Sequence, residues 1–248
     1  FYRIKNFIEK TPLQLSSRLS EKYKCNVFLK REDLQKIRSF KIRGSINKII
    51  KNKDSNSVMI CASAGNHAQG VAYSCDLLNL KGKIFCPITT PPQKINRIKH
   101  FGGDNIDLNL VGRDFNEALK ISEKYCKEND GIFIHPYDDM DIIEGQGTIA
   151  KEILDDIDNV DVLMGCLGGG GLMSGVGSYF KNISSKTLLY GVEPYGAESM
   201  TKSFESGKVV EMTNIDSFVD GASVSKVGDL TYKLCKEYLD DIELRVLL

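Results

Sequence analysis

Short apolar runs alternate with segments of helical periodicity along nearly the whole chain, and this alternation limits the possible folds more than any other feature. The runs are rich in Val, Ile, Leu, Phe and Cys, without regular polar alternation, which is typical of strands buried on both faces. The predicted strands span 26–30, 57–62, 83–87, 105–111, 131–135, 160–167 and 188–193. The predicted helices span 39–52, 66–80, 92–101, 115–128, 142–155, 172–181 and 228–240. About six strand–helix repeats predict an α/β fold in which parallel strands are flanked by helices.

The balance of charge excludes several classes of partner. The 248 residues include 33 Lys and Arg and 33 Asp and Glu, so the formal net charge is zero. Such a chain has no electrostatic preference for nucleic acid or for an anionic membrane, and we expect neither as a partner. No stretch approaches the ~18 consecutive apolar residues of a transmembrane helix.

The cysteines and the N-terminus indicate a cytoplasmic protein. The seven cysteines are odd in number, scattered, and contain no Cys-x-x-Cys pair, which predicts reduced thiols rather than disulfides or a zinc ribbon. The first residues lack the apolar core of a signal peptide. They also lack an initiator Met, so we expect the chain to be a fragment of a longer protein.

Four consecutive glycines form the sharpest local motif. Gly168, Gly169, Gly170 and Gly171 follow a predicted strand and precede a helix that begins near Leu172. Without side chains, their backbone N–H groups can converge on an anion, and the helix N-terminus adds partial positive charge. The motif predicts a phosphate site, whereas a flexible turn would not justify the entropic cost of four glycines. We call residues 168–171 the glycine loop.

The kind of phosphate remains open at this point. Leu172 and Met173 stand where a P-loop would have Lys and Ser or Thr, and the spacing of a Rossmann fingerprint also fails. Glu193 ends the next predicted strand, roughly where an acid would bind the ribose of a dinucleotide. A small monophosphate is the simplest ligand, and a nucleotide-binding module is the alternative.

One lysine opens the helix predicted at 39–52. Ile42, Ile46 and Ile49 form the apolar face of that helix, and Lys41 lies well away from it. Periodicity alone therefore predicts that Lys41 is an ordinary surface lysine.

A second strand-to-helix turn contains Ser63-Ala64-Gly65-Asn66-His67, which we call the asparagine loop. Small residues leave several N–H donors free there, and such a site suits a carboxylate. An equally acceptable interpretation is a helix N-cap formed by Ser63 or Asn66.

Together these motifs resemble the pyridoxal-5′-phosphate (PLP) enzymes of the tryptophan-synthase-β-like fold, known as fold type II. The resemblance runs from about residue 11 to about residue 240, and the order of the motifs makes chance agreement very unlikely. Further matching segments are 28–35, 133–136, 145–148 and 191–194. The resemblance implies two lobes, each with a mostly parallel sheet flanked by helices. Residues 1–56 and 138–248 would form a larger cofactor-binding lobe, and residues 57–137 a smaller, mobile substrate lobe.

Within that family the chain is most similar to the serine/threonine dehydratases, and especially to biosynthetic threonine dehydratases. Segments 63–70, 218–224 and 227–231 support this likeness. It implies a lyase that deaminates L-threonine to 2-oxobutanoate and ammonia, the first step of isoleucine biosynthesis. Serine dehydratase or racemase is the alternative, but Ala64 replaces a serine that serine racemase uses as an acid/base, and Ala64 cannot transfer a proton.

The resemblance also implies roles for individual residues. Lys41 would bind PLP covalently and then remove the Cα proton of the substrate, while Phe40 would pack beside the cofactor ring. Asn66 would hydrogen-bond the 3′-oxygen of the pyridine ring. The glycine loop and Leu172 would bind the phosphate. The substrate carboxylate would lie against the asparagine loop, at Ser63, Ala64, Gly65 and His67.

Three further expectations follow from the resemblance. No segment after Asp241 matches the one with which relatives contact the pyridine nitrogen, so we expect a C-terminally incomplete larger lobe, with a non-catalytic truncated product as an alternative. Some relatives bind a cation near the positions of Glu193, Ala197 and Ser199. Ser199 replaces an acid of serine racemase, so we expect no metal. Relatives commonly form homodimers or homotetramers, and we expect a homo-oligomer here.

Overall fold

A computed structural model of the chain describes residues 1–245. The strands within it are β1 (Leu13–Leu15), β2 (Phe28–Lys30), β3 (Met59–Ala62), β4 (Gly82–Cys86), β5 (Ile106–Leu110), β6 (Ile132–Phe133), β7 (Val162–Cys166), β8 (Leu188–Pro194) and β9 (Asp241–Arg245). The α-helices are α1 (Ser17–Tyr23), α2 (Lys41–Lys51), α3 (Asn66–Leu77), α4 (Pro92–Gly102), α5 (Phe115–Glu128), α6 (Met140–Asp156), α7 (Gly171–Ile183), α8 (Ser199–Ser206) and α9 (Asp229–Tyr238).

The first parallel sheet has four strands in the order β5-β4-β3-β6. Ile60 of β3 is opposite Lys83 of β4 on one side and Phe133 of β6 on the other. Buried apolar side chains of β3, β4, α3 and α4 form its core, among them Cys61, Ile84, Val71 and Ile98. Burial on both faces explains the unbroken apolar run of β3 in the sequence.

The second parallel sheet has three strands in the order β7-β8-β9. Phe180 of α7 and Leu189 of β8 are fully buried in the core on one side of it. Strand β9 was not among the predicted strands. Its sequence, Asp-Ile-Glu-Leu-Arg, alternates polar and apolar residues, whereas the predicted strands are apolar runs, and it pairs parallel with β8.

The strand predicted at 26–30 does not join a parallel sheet. Its ordered part, β2, pairs antiparallel with β1, so that Leu13 is opposite Lys30. Phe28 and Leu29 are exposed. An apolar run can therefore also form a short antiparallel strand at the surface. Helices α1 and α8 were likewise not predicted.

Helix α2 packs between α3 and α6 and brings the two sheets together. Ile42, Ile46 and Ile49 are fully buried, as the periodicity predicts. Helix α5 begins where Asp114 accepts a hydrogen bond from the backbone N–H of Glu117 at 2.9 Å, the usual arrangement of a helix N-cap.

The predicted α/β class with parallel sheets flanked by helices is confirmed. The lobe boundaries, 1–56 with 138–248 and 57–137, stay a prediction, and the last three residues of the larger lobe lie outside the described part. Of the helices in residues 1–245, none has the length and apolar character needed to cross a membrane.

Candidate active site

Lys41 is the first residue of α2, and its side chain turns inward. Its Nζ donates a hydrogen bond to the backbone oxygen of Pro136 at 2.7 Å and lies 5.6 Å from the ring centroid of Phe40. The side chain is half-buried, so the prediction of an ordinary surface lysine was wrong. Helical periodicity failed because the first turn of α2 faces the segment 135–138 rather than solvent.

The surroundings of Lys41 change its acidity. Burial disfavours the charged ammonium and lowers the pKa of Lys41 from 10.5 to about 8, although the nearby Cys166 opposes the shift. Near neutral pH a useful fraction of this amine is therefore unprotonated. An unprotonated lysine can attack a carbonyl carbon or accept a proton.

The glycine loop connects β7 to α7 in a conformation that needs glycine. Gly168 has φ of +64° and Gly170 has φ of +90°, in the region that L side chains rarely adopt. A Cβ at Gly169 would lie 2.3 Å from the ring of Tyr137, and one at Gly170 would lie 2.7 Å from Met200. The loop is thus a close-packed turn, held also by Thr231, whose hydroxyl donates to the Gly169 oxygen at 2.7 Å.

The N-terminus of α7 gives the glycine loop its capacity to bind an anion. The first N–H groups of a helix have no acceptor within the helix, and they carry the positive end of its dipole. Gly171 begins α7, and Leu172, which follows it, is partly buried against the core. The arrangement suits a phosphate group.

The asparagine loop follows β3 and leads into α3. The Ser63 hydroxyl accepts a hydrogen bond from the Gly65 N–H at 3.1 Å, and Ala64 packs partly into the core. Asn66 is the first residue of α3 and is exposed, while the N-cap position belongs to Gly65. The interpretation of Ser63 or Asn66 as the N-cap residue was therefore wrong. Its failure leaves the side chain of Asn66 available to a ligand.

His67 has a structural bond that the sequence did not predict. Its ring is buried, and Nε2 lies 2.8 Å from the backbone oxygen of Ile134. Because a carbonyl only accepts hydrogen bonds, Nε2 carries the proton. Burial and the charge of Lys41 lower the pKa of His67 to about 3. The imidazole is thus neutral, and Nε2 is not free to bind a carboxylate.

The segment 135–138 is the part of the site to which the resemblance assigns no residue role, although its first two residues belong to the matching segment 133–136. Pro136 accepts the hydrogen bond of Lys41, and Tyr137 packs on the glycine loop. Asp138 accepts from the N–H groups of Leu230 and Thr231, both at 3.0 Å, at the start of α9. These bonds connect distant parts of the chain, so no local pattern could reveal them.

His135 holds that segment in shape. Its Nδ1 accepts hydrogen bonds from the backbone N–H groups of Asp138 at 2.7 Å and Tyr137 at 3.2 Å. Burial lowers its pKa to about 4, so the ring is neutral at physiological pH.

Glu193 does not behave as a ribose-binding acid. It is fully buried at the end of β8, and its carboxylate accepts from the N–H groups of Met200 at 2.8 Å and Thr201 at 2.9 Å. It also accepts from the Thr201 hydroxyl at 2.7 Å. The carboxylate stabilises the first turn of α8, which removes the main support for a nucleotide-binding module. The expected absence of a metal here stays a prediction.

The described residues fit a phosphate-bearing aldehyde such as PLP. The half-buried amine of Lys41 has a lowered pKa, as covalent attachment of a carbonyl group requires, and the ring of Phe40 lies beside it. The glycine loop and the first turn of α7 offer the backbone donors that a phosphate requires. Cys166, within electrostatic reach of Lys41, ends the strand that leads to this loop.

Comparison with known sequences decides the family. The profile of the family described as "Pyridoxal-phosphate dependent enzyme" matches residues 4–245. The chain belongs to the pyridoxal-phosphate-dependent enzymes. This PLP-dependent enzyme has the fold type II architecture of its structural neighbours.

Individual relatives of this PLP-dependent enzyme are dehydratases and a racemase. The biosynthetic L-threonine dehydratase IlvA of Halalkalibacterium halodurans is 49% identical over 97% of the chain, which spans 59% of that relative's length. The processed form of threonine deaminase isoform 2 from Solanum lycopersicum has a TM-score of 0.93 at 39% identity, over 98% of this chain and 71% of the other. Maize serine racemase has a TM-score of 0.90 at 29% identity, over 99% of this chain and 74% of the other.

Proposed function

We propose that the protein to which this chain belongs is a threonine dehydratase, which converts L-threonine to 2-oxobutanoate and ammonia as the first step of isoleucine biosynthesis. Loss of water from threonine and later uptake of water give a balanced reaction with no external oxidant or reductant. The observation that carries the proposal is Lys41, an inward-turned amine with a lowered pKa, which interacts electrostatically with Cys166 just before the glycine loop and with His67 of the asparagine loop. The 49% identity to a biosynthetic threonine dehydratase supports the choice of substrate.

In this proposal PLP is held by Lys41, Phe40, Asn66 and the glycine loop. Lys41 holds PLP through Nζ, and the N–H groups of the glycine loop, Gly168 to Gly171, and of Leu172 hold its phosphate. Phe40 lies beside the ring, and Asn66 binds its 3′-oxygen. When bound, PLP supplies the electron sink that stabilises negative charge at Cα.

The substrate is held by the asparagine loop. Backbone N–H groups and the Ser63 hydroxyl are suited to the α-carboxylate, and for His67 we assign this role to the backbone because Nε2 is already used. Lys41 Nζ would take the proton from Cα, and a pKa near 8 suits a base at physiological pH. Ala64 offers no proton donor on the other side of the substrate, which favours elimination over racemisation.

The decisive experiment combines a spectrum with a substrate comparison. The purified protein with added PLP should absorb as a protein-bound imine, and borohydride reduction followed by peptide mapping should label Lys41. L-threonine should yield 2-oxobutanoate faster than L-serine yields pyruvate, and neither should produce the D-isomer. Lys41→Ala should abolish both the label and the product, and a label on another residue would refute the proposal.

The remaining expectations need separate tests. We propose a cytoplasmic homo-oligomer, dimer or tetramer, and the lobe division 1–56 with 138–248 and 57–137. Comparing this chain with a full-length version tests the alternative of a non-catalytic truncated product. If only the longer protein retains PLP and releases keto acid, the truncated chain lacks part of the pocket.

A further inference from the structure

Lys94 and Asp220 form an ion pair that joins two distant parts of the fold. Nζ of Lys94 lies 2.8 and 2.9 Å from the two carboxylate oxygens of Asp220. Lys94 is in the first turn of α4, which packs beside the four-stranded sheet. Asp220 belongs to the segment that joins α8 to α9, between strands β8 and β9 of the three-stranded sheet in the chain order. The pair therefore connects the surroundings of both sheets.

The carboxylate of Asp220 faces the asparagine loop. A Cβ at Gly65 would lie 4.0 Å from Oδ2 of Asp220, and among the described residues that are not adjacent to Gly65 in the chain no other atom lies within 4 Å of that point. Two residues further on, Ala222 packs against the glycine loop, 3.2 Å from a Cβ built on Gly168. Residues 220–222 thus span from one loop of the site to the other.

The pair is too exposed to be important for stability. The side chains of Lys94 and Asp220 retain 35% and 69% of their accessible surface, and exposed ion pairs contribute little to folding. Its position has a stronger consequence. The asparagine loop is proposed to bind the carboxylate of the substrate. Without Lys94, the negative charge of Asp220, whose Oδ2 lies 4.0 Å from a Cβ built on Gly65, would repel that substrate carboxylate.

We propose that Lys94 is a specificity-determining residue, which neutralises Asp220 so that the asparagine loop can accept the α-carboxylate of an amino acid. This inference rests on the proposed function, because it assumes that an amino-acid carboxylate binds at residues 63–67. Lys94 acts through Asp220 and does not contact the substrate. The ligand class is an α-amino monocarboxylate. Once Lys94 neutralises Asp220, the single negative charge of the α-carboxylate is not repelled at the asparagine loop.

The two single variants should change substrate affinity in opposite directions. In the full chain loaded with PLP, Lys94→Met leaves Asp220 unpaired and should raise the KM for L-threonine by about three- to tenfold, with kcat nearly unchanged. Asp220→Asn leaves Lys94 unpaired and should lower KM. The double variant should return KM to within about twofold of the wild-type value. About 1 M salt should reduce both single effects.

A binding measurement separates this inference from the proposed reaction. 2-Aminoisobutyrate has an α-carboxylate but no Cα proton, so it can bind without turnover, and its Kd follows from the change in the PLP absorption spectrum. The Kd should rise in Lys94→Met and fall in Asp220→Asn. Lys202→Met, which breaks an exposed pair with Glu205 elsewhere, is the matched control and should leave Kd unchanged.

A rise of KM and Kd in both single variants would overturn the inference, because that result is expected if the ion pair only holds the two segments together. Unchanged KM and Kd in both variants would overturn it as well. If the wild type releases no keto acid from any amino acid, the proposed function fails while the Kd values still decide the role of Lys94.

Discussion

The guanidinium group of Arg43 forms a two-pronged ion pair with the carboxylate of Glu152 in the interior. Nη1 lies 2.7 Å from Oε1, Nη2 lies 2.8 Å from Oε2, and both side chains are almost completely buried. Glu32 accepts two further bonds from Arg43, at 2.7 and 2.8 Å. Arg43 follows Lys41 by two residues in α2, so this network fixes α2 against α6 close to the reactive amine.

Arg43→Met should therefore destabilise the protein strongly. Among residues 1–245, removing the guanidinium leaves Glu32 without its cation and leaves Glu152 with Lys30 as its only cationic partner, at 2.7 Å. We therefore expect a loss at the low end of the about 3–5 kcal/mol that breaking a buried ion pair costs. Urea denaturation should show this loss in the free energy of unfolding. Arg113→Met, which removes an exposed pair with Glu117, should show little change. Equal effects of the two substitutions would contradict a tethering role for the buried network.

The lowered pKa of Lys41 predicts a specific pH dependence in the PLP-free protein. Competitive labelling with an amine reagent should give half-maximal reactivity near pH 8 rather than near 10.5. Between those values the unfolded state binds a proton that the folded state does not, so stability should rise with pH across this window. The rise should be smaller in Lys41→Met. Labelling that rises only above pH 10 would show that Nζ is solvated.

Gly170→Ala should impair PLP binding because it combines a left-handed φ with a steric clash. The added Cβ would lie 2.7 Å from Met200 and 2.9 Å from Thr231. Gly207→Ala is the matched control, since Gly207 has φ of +70° but no atom within 4 Å of an added Cβ. Both variants should lose about 1 kcal/mol to backbone strain. Only Gly170→Ala should also weaken PLP retention, measured by dialysis, and equal retention would argue against a phosphate role.

The two buried histidines predict loss of stability in mild acid. The pKa values of His67 and His135 fall from 6.5 to about 3 and about 4, so the unfolded state takes up protons first as the pH drops. The free energy of unfolding should therefore decrease from pH 7 to pH 5, with about 1–2 kcal/mol from each histidine. His135→Asn keeps an acceptor near Nδ1 and removes the titration, so it should lose less over this range. An identical loss in both proteins would mean that His135 does not contribute.

Much of the fold could be predicted because burial leaves a local signature. Strand β3 and the apolar face of α2 are buried as their apolar patterns indicate. Strand β9 has no such signature, because its sequence alternates Asp, Ile, Glu, Leu and Arg instead of forming an unbroken apolar run. The antiparallel pairing of β2 was also hidden, because β1 has only three residues.

The site was harder to predict because its contacts span long distances in sequence. Lys41 turns inward because its Nζ bonds to the backbone oxygen of Pro136, 95 residues away in sequence. The periodicity of a single helix contains no information about such a distant partner. Glu193 looked like a ribose ligand only because α8, whose first turn it caps, had not been predicted. The ring of His67 was expected at the substrate, but its Nε2 is bonded to the backbone oxygen of Ile134, which directly follows β6.

The connection formed by residues 135–138 has a mechanical consequence. Through Pro136 it holds the reactive amine, through Tyr137 it supports the glycine loop, and through Asp138 it anchors α9. One short segment therefore contacts Lys41, the glycine loop and α9. A substitution that displaces residues 135–138 should therefore disturb Lys41 and the glycine loop at the same time.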